Sequence, residues 1–228
     1  MFIDKTMTGT VITISAETGI IEAHDVMKQH RIRHLPVVDK DNFLLGILSD
    51  RDIRSAMPPS FLNADEFASA SEKLSKLTVK DIMTKNVMTI STIDTLQDAL
   101  LLMKKIKVGA FPVVDLEGKV VGILSVQDII RAFISVLGIE EPGTLLGILV
   151  DDKQGQTKVI VDAITEEGIP FGSILVARHW QEGKRAVFPY LLSTNVARVK
   201  RKIQKMGFTL LNPMDWSIDE HKKDSTII

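Results

Sequence analysis

The chain has 228 residues, 45% of them hydrophobic and 25% charged, with a formal net charge of -1 and no cysteine. That length suits roughly one to two globular domains, and the missing cysteines exclude disulfides, thiol catalysis and cysteine metal sites. The near-neutral balance argues against a broad electrostatic hold on nucleic acid or an anionic membrane surface.

Residues 11–14 are rich in β-branched side chains and predict a short strand. Ile20, Ala23 and Met27 then recur at i, i+3 and i+7, the spacing of an amphipathic helix. Residues 35–38 and 44–48 read as the two strands of a hairpin, turning at 39–42. Ser49-x-x-Asp52 opens a second helix. The whole unit then returns: Met7 to Ala56 aligns with Met83 to Ala132 without a gap, at about twenty identical positions. Pro36-Val37-Val38-Asp39 reappears as Pro112-Val113-Val114-Asp115, and Gly46-Ile47-Leu48-Ser49 as Gly122-Ile123-Leu124-Ser125. Each copy is strand, helix, strand, strand, helix. Neither is large enough for a comfortable core, so the two are expected to pair sheet to sheet about a pseudo-twofold axis, with a cleft between them.

Domain boundaries follow from these breaks. Residues 1–56 form the first repeat, 57–78 a helix-bearing connector after Pro58-Pro59, and 79–137 the second repeat. Past Glu140-Glu141-Pro142-Gly143 a new unit begins, spanning 138–216. It predicts a strand over 146–150, a loop over 151–155, a helix over 157–167 and strands over 173–178 and 185–191. A basic helix over 196–206, with Val199, Ile203 and Met206 facing the sheet, and a strand over 208–211 complete it. The order βαββαβ is that of the ferredoxin-like split-βαβ class. The polar segment 217–228 is expected to be a mobile tail.

The strand-to-helix turns carry the strongest candidate chemistry. A hydroxyl and a carboxylate three residues apart, Ser49 with Asp52 and Ser125 with Asp128, suit a phosphate or sugar oxygen and the vicinal hydroxyls of a ribose. The plain alternative is that Ser-x-x-Asp is a capping box serving only its own helix end. Basic residues distinguish the copies. Arg33, His34 and Arg51 mark the first as the phosphate acceptor, because guanidinium groups bind phosphate bidentately. The second copy has Lys107, Gly109, Ala110 and Gln127 in its matching stretches and is expected to be the poorer anion site.

These words, repeated in order and at fixed spacing over residues 1–137, resemble a pair of CBS domains, the Bateman module. The resemblance implies an α/β fold of tandem CBS domains whose cleft binds an adenosine ligand: AMP, ADP, ATP or S-adenosylmethionine. It implies that Asp52 and Asp128 hold ribose, and that Ser49 and Ser125 reach sugar or phosphate. Arg33, His34 and Arg51 would meet the phosphates, and Ile12, Ile47, Met88 and Ile123 would line the adenine pocket. The run Val150 to Gly155 resembles the ligand loop of an ACT domain, with Gln154 where that family carries proline. The combination is similar to the acetoin-utilisation protein B family, which implies a regulatory role near acetoin or acetate metabolism and a homodimer, with a regulated protein as a further partner.

Other signals are weaker. His30 and His34 lack a third metal ligand, no phosphate-loop or nucleophile-elbow motif occurs, and the basic helix reads as a solvated face rather than a nucleic-acid surface. No apolar run approaches the roughly 20 residues a membrane span needs. Met1 to Lys5 lacks the basic start and apolar core of a signal peptide, so a cytoplasmic location is expected. The reading is therefore a regulatory ligand sensor, not an enzyme, with no catalytic cofactor. Its alternative is a structural or protein-interaction module with empty clefts.

Overall fold

The computed structural model describes residues 2–58, 72 and 74–212, which fall into two units, Met1–Ile130 and Arg131–Ile228. In the first unit each repeat builds a three-stranded sheet. β1 (Ile14–Ser15) runs parallel to β2 (His34–Val38), and β2 runs antiparallel to β3 (Leu44–Ser49). The connecting helix α1 (Ile20–His30) turns off at Arg31, whose φ of 54° places it in the left-handed region. Ile20, Ala23 and Met27 on α1 are buried with Leu35, Val37 and Leu48 of the sheet and Ile53 of α2 (Asp50–Ala56). The predicted i, i+3, i+7 stripe is therefore the face that meets the sheet.

The second repeat follows the same plan after a short helix, α3 (Val79–Ile82). β4 (Ile90–Ser91) is parallel to β5 (Ala110–Val114), which is antiparallel to β6 (Val120–Ser125). Between β4 and β5 lies α4 (Leu96–Ile106), whose Thr95 side chain accepts from the Asp98 N–H at 3.2 Å. The last helix is α5 (Val126–Leu137). Register is conserved between copies, with Val37 opposite Gly46 and Val113 opposite Gly122.

The repeats exchange their leading segments. Ile3 N–H donates to Asp94 O at 3.1 Å and Asp4 N–H to Thr92 O at 3.3 Å. Symmetrically, Val79 N–H donates to Thr18 O at 2.8 Å and Lys80 N–H to Ala16 O at 3.0 Å. Further along, Thr8 and Ile123 form an antiparallel bridge, and so do Thr84 and Ile47. The crossings need bare backbone. A Cβ at Gly46 would stand 2.7 Å from Thr84 O, and one at Gly122 would stand 2.5 Å from Met7 Sδ and 3.1 Å from Thr8 O. Sheet contact is as expected in part, since β2 lies against β6 of the other repeat.

Two expectations for this unit change. The strand predicted over 11–14 pairs only at Ile14–Ser15, because the residues before it are spent crossing between repeats. Most of the connector helix predicted within 57–78 lies outside the described residues; positions 74–76 are helical, and Leu74 joins the core of the first repeat.

In the second unit, β8 (Ile148–Asp151) lies between β11 (Thr209–Leu210) and β10 (Lys184–Leu191), and β9 (Phe171–Gln181) covers the other side of β10. All pairings are antiparallel. Helices α6 (Gln156–Thr165) and α7 (Ala197–Lys205) supply Ile160, Ile164, Val199 and Ile203 to a core shared with Ile148 and Leu191. The strand predicted over 146–150 is split: β7 (Thr144–Leu145) pairs with the far end of β10, and the ladder resumes at Ile148 beyond Gly147. β9 is longer than expected. Met206 does not face the sheet but is 44% exposed, because α7 ends one residue before it. The tail at 217–228 lies outside the described residues.

Candidate functional site

A cavity of about 620 Å³ opens in the first unit, within the usual range of small-molecule sites. Seven of the predicted residues line it: Arg33, His34, Ile47, Ser49, Arg51, Asp52 and Met88. Met88 comes from the second repeat. It reaches the cavity because Thr84, four residues earlier, is pinned to Ile47: Ile47 N–H donates to Thr84 O at 3.0 Å, and Thr84 N–H to Ile47 O at 2.9 Å.

The carboxylates at the turns close capping boxes, as the plain alternative required. Ser49 N–H donates to Asp52 Oδ2 at 2.8 Å and Ser49 Oγ–H at 2.6 Å. Ser125 and Asp128 make the same contacts, at 2.8 and 2.6 Å. A carboxylate has further acceptor sites, so capping does not preclude a ligand. The copies differ there. Asp52 is half-buried at the cavity wall, whereas Asp128 is 4% exposed and its Oδ1 accepts from Thr8 Oγ1 at 3.4 Å.

Charge is concentrated in the first cleft. Arg54 pairs with Asp50 at 2.8 Å, while Arg33, Arg51 and Lys107 line the cavity with no ion pair among the described residues. Burial holds the His34 imidazole below the ordinary histidine range; Asp52 and Asp50 pull it up and Arg33 pushes it down.

The remaining predicted residues are elsewhere. Ile12 packs on the core of the first repeat, Ile123 is bridged to Thr8, Ser125 and Asp128 close their own box, and Gln127 is exposed. One assignment is extended. Lys107, Gly109 and Ala110 line the first cleft together with Arg33 and His34, while Gly109 O accepts from Val126 N–H at 3.0 Å and Ala110 pairs with Ser125 within the second repeat. Asn86, Val87 and Val108 were missed with them. The signal was present: an isolated glycine within a strand pattern, Gly46 or Gly122, marks a close backbone approach.

In the second unit the loop after β8 has its carboxylates occupied. Asp151 accepts from Lys184 at 2.6 Å and from Lys153 at 3.3 Å, and these lysines hold its carboxyl below the usual range, Lys184 foremost. Asp152 pairs with Arg185. Among the described residues no group of three metal-ligating side chains occurs, and no helix is long and apolar enough to cross a membrane.

The CBS-domain sequence profile matches residues 3–59 and again residues 79–135, together half of the chain. The chain belongs to the CBS-domain family. A CBS domain-containing protein of Dictyostelium discoideum is 34% identical over 140 residues, which cover 60% of this chain and 94% of that protein. The inosine-5'-monophosphate dehydrogenase of Aquifex aeolicus is 32% identical over 133 residues, 57% of this chain but only 24% of the enzyme. The likeness to that enzyme is thus confined to a CBS-bearing quarter of its length. Among solved structures, an acetoin utilization protein (AcuB) from Vibrio cholerae matches with a TM-score of 0.52 at 26% identity, over 62% of this chain and 98% of that one. The matched ranges include the two exchanged leading segments, so the CBS pair here is the whole interlocked unit.

Proposed function

We propose that this CBS pair is a regulatory sensor whose first cleft binds an adenosine nucleotide. One observation carries the reading: a single cavity joins the Asp52 carboxylate to three cations with no ion pair among the described residues, Arg33, Arg51 and Lys107, and to the apolar Ile47 and Met88. A carboxylate suits ribose hydroxyls, guanidinium forks suit phosphates, and an apolar slot suits a purine face. S-Adenosylmethionine shares the adenosine half but offers the cations only a carboxylate. Calorimetric titration with AMP, ATP and S-adenosylmethionine tests the reading, with phosphorylated ligands expected to bind more tightly. No binding of any of the three would sink it.

A second reading is favoured by a specific feature of the other copy. Asp128 is buried, capped by Ser125 and bonded to Thr8, which suits a structural staple better than a ribose site. We assign the second cleft that role, or at most a less charged adenosine compound. The βαββαβ order of the second unit supports an ACT-like domain adding or transmitting a further input, although the paired Asp151 and Asp152 leave its loop little to offer a small ligand. A homodimer is supported by the edge of β9, which among the described residues pairs with β10 alone, and by exposed Leu100 and Leu101 on α4. Light scattering in solution tests it. The likeness to the Vibrio protein, named for acetoin utilization, supports a role in acetoin metabolism, and our reading extends this to acetate metabolism, a regulated protein partner and a cytoplasmic location.

A further inference from the structure

Arg33 and Gly109 occupy the same position in the two repeats, as do His34 and Ala110, and the structure sets the two stretches against each other. A Cβ on Gly109 would stand 3.3 Å from His34 Cε1 and 3.4 Å from His34 Nε2. The backbone at Gly109 lies outside the left-handed region, so its own conformation does not call for glycine. The missing Cβ leaves room for an imidazole instead. Both residues line the first cavity.

We infer that Gly109 is a specificity-determining residue of the first cleft, the seat that holds the His34 ring at the cavity wall where it meets the phosphates of a bound nucleotide. The inference rests on the nucleotide reading above and adds the residue that aims the imidazole. The charges the ring feels are Asp52 and Asp50 on α2 and Arg33 just before β2, and Arg51 and Arg54 on α2 and Lys107 at the α4–β5 corner line the same cavity. Asp50 is engaged by Arg54. Burial favours the neutral ring in the free protein. A phosphate adds negative charge beside it and favours the imidazolium, which donates from both nitrogens. Binding of a phosphorylated ligand therefore takes up a proton, and binding of adenosine does not.

The test compares ATP with adenosine by calorimetry in two buffers of different ionisation enthalpy. Unaltered protein should take up protons with ATP only, and His34→Gln should abolish the uptake. Gly109→Ala should weaken ATP about fivefold, a partial loss of a charged hydrogen bond, and adenosine less than about twofold. In the His34→Gln background the Gly109→Ala change should add nothing, because the seat acts only through the ring. Equal losses for ATP and adenosine, or an additive effect of the two substitutions, would overturn the inference. An NMR titration of the imidazole separates the two levels of failure. If ATP binds while Gly109→Ala leaves both the affinity ratio and the His34 midpoint unmoved, this inference alone falls. If unaltered protein binds neither ligand, the nucleotide reading falls and the inference with it.

Discussion

Ile47 and Thr84 exchange both of their backbone hydrogen bonds, at 3.0 and 2.9 Å, although they belong to different repeats. That bridge carries the segment from Thr84 to Met88 across the first sheet and makes the cavity a joint product of both copies. Gly46 beside it has the Thr84 carbonyl 2.7 Å from where a Cβ would be.

Gly46→Ala should therefore destabilise the protein by roughly 1–3 kcal/mol, the usual cost of overpacking, and should weaken ligand binding as well. Gly122→Ala should cost less, since its nearest neighbour is the flexible Met7 side chain. Urea unfolding of both variants checks the order, and a milder Gly46→Ala would contradict it.

Asp52 and Asp128 separate the capping role from the ligand role. Asp52→Ala should lose about 0.5–2 kcal/mol of stability with its cap and, in addition, most of the affinity for ATP. Asp128→Ala should cost more stability, because it leaves buried donors unpaired, while ATP affinity at the first cleft changes little. Thermal unfolding alongside calorimetry reads both quantities. Unchanged ATP affinity in the Asp52 variant would remove that residue from the site.

Arg33→Ala should weaken ATP by roughly 1.5–3 kcal/mol, the worth of a hydrogen bond to a charged group, and adenosine by much less. Added salt should weaken ATP binding to the unaltered protein, because part of the affinity is charge pairing at an exposed rim. Equal losses for the two ligands would place Arg33 away from the phosphates.

The depressed affinity of His34 for protons makes stability depend on pH in a definite direction. The unfolded chain takes the proton first, so ν in the unfolded state exceeds that in the folded state below the ordinary value of about 6.5. This group leaves stability untouched above that pH and lowers it as the pH falls towards the depressed folded value. Unfolding free energies of unaltered protein and His34→Gln, compared on either side of pH ~6.5, should diverge on the acid side with the unaltered protein losing more.

Much of the fold was readable because each repeat obeys local rules. The Ile20, Ala23, Met27 stripe buries as its period requires, and the hairpin turns at Asn42 and Gly118 take the positive φ their residue types favour. What local pattern does not encode is which copy a segment serves. Lys107 and Gly109 lie within the second repeat in sequence and line the first cleft in space, and residues 11–13 look like strand while spending themselves on the crossing. The hydroxyl–carboxylate pair of Ser49 and Asp52 was legible as two readings at once, and the folded turn satisfies the cap without using every lone pair.

The exchanged arms have a consequence for how such a molecule comes into being. Ile3 docks beside Asp94, and Val79 beside Thr18, so neither half of the pair completes its own sheet surroundings. A single half, expressed by itself, would present an arm with no berth and a berth with no arm. The nearest available partner for both would be another identical half. The covalent tandem replaces that bimolecular encounter with an intramolecular one at high effective concentration, and it frees the two halves to diverge, one keeping its arginines and the other sealing its carboxylate.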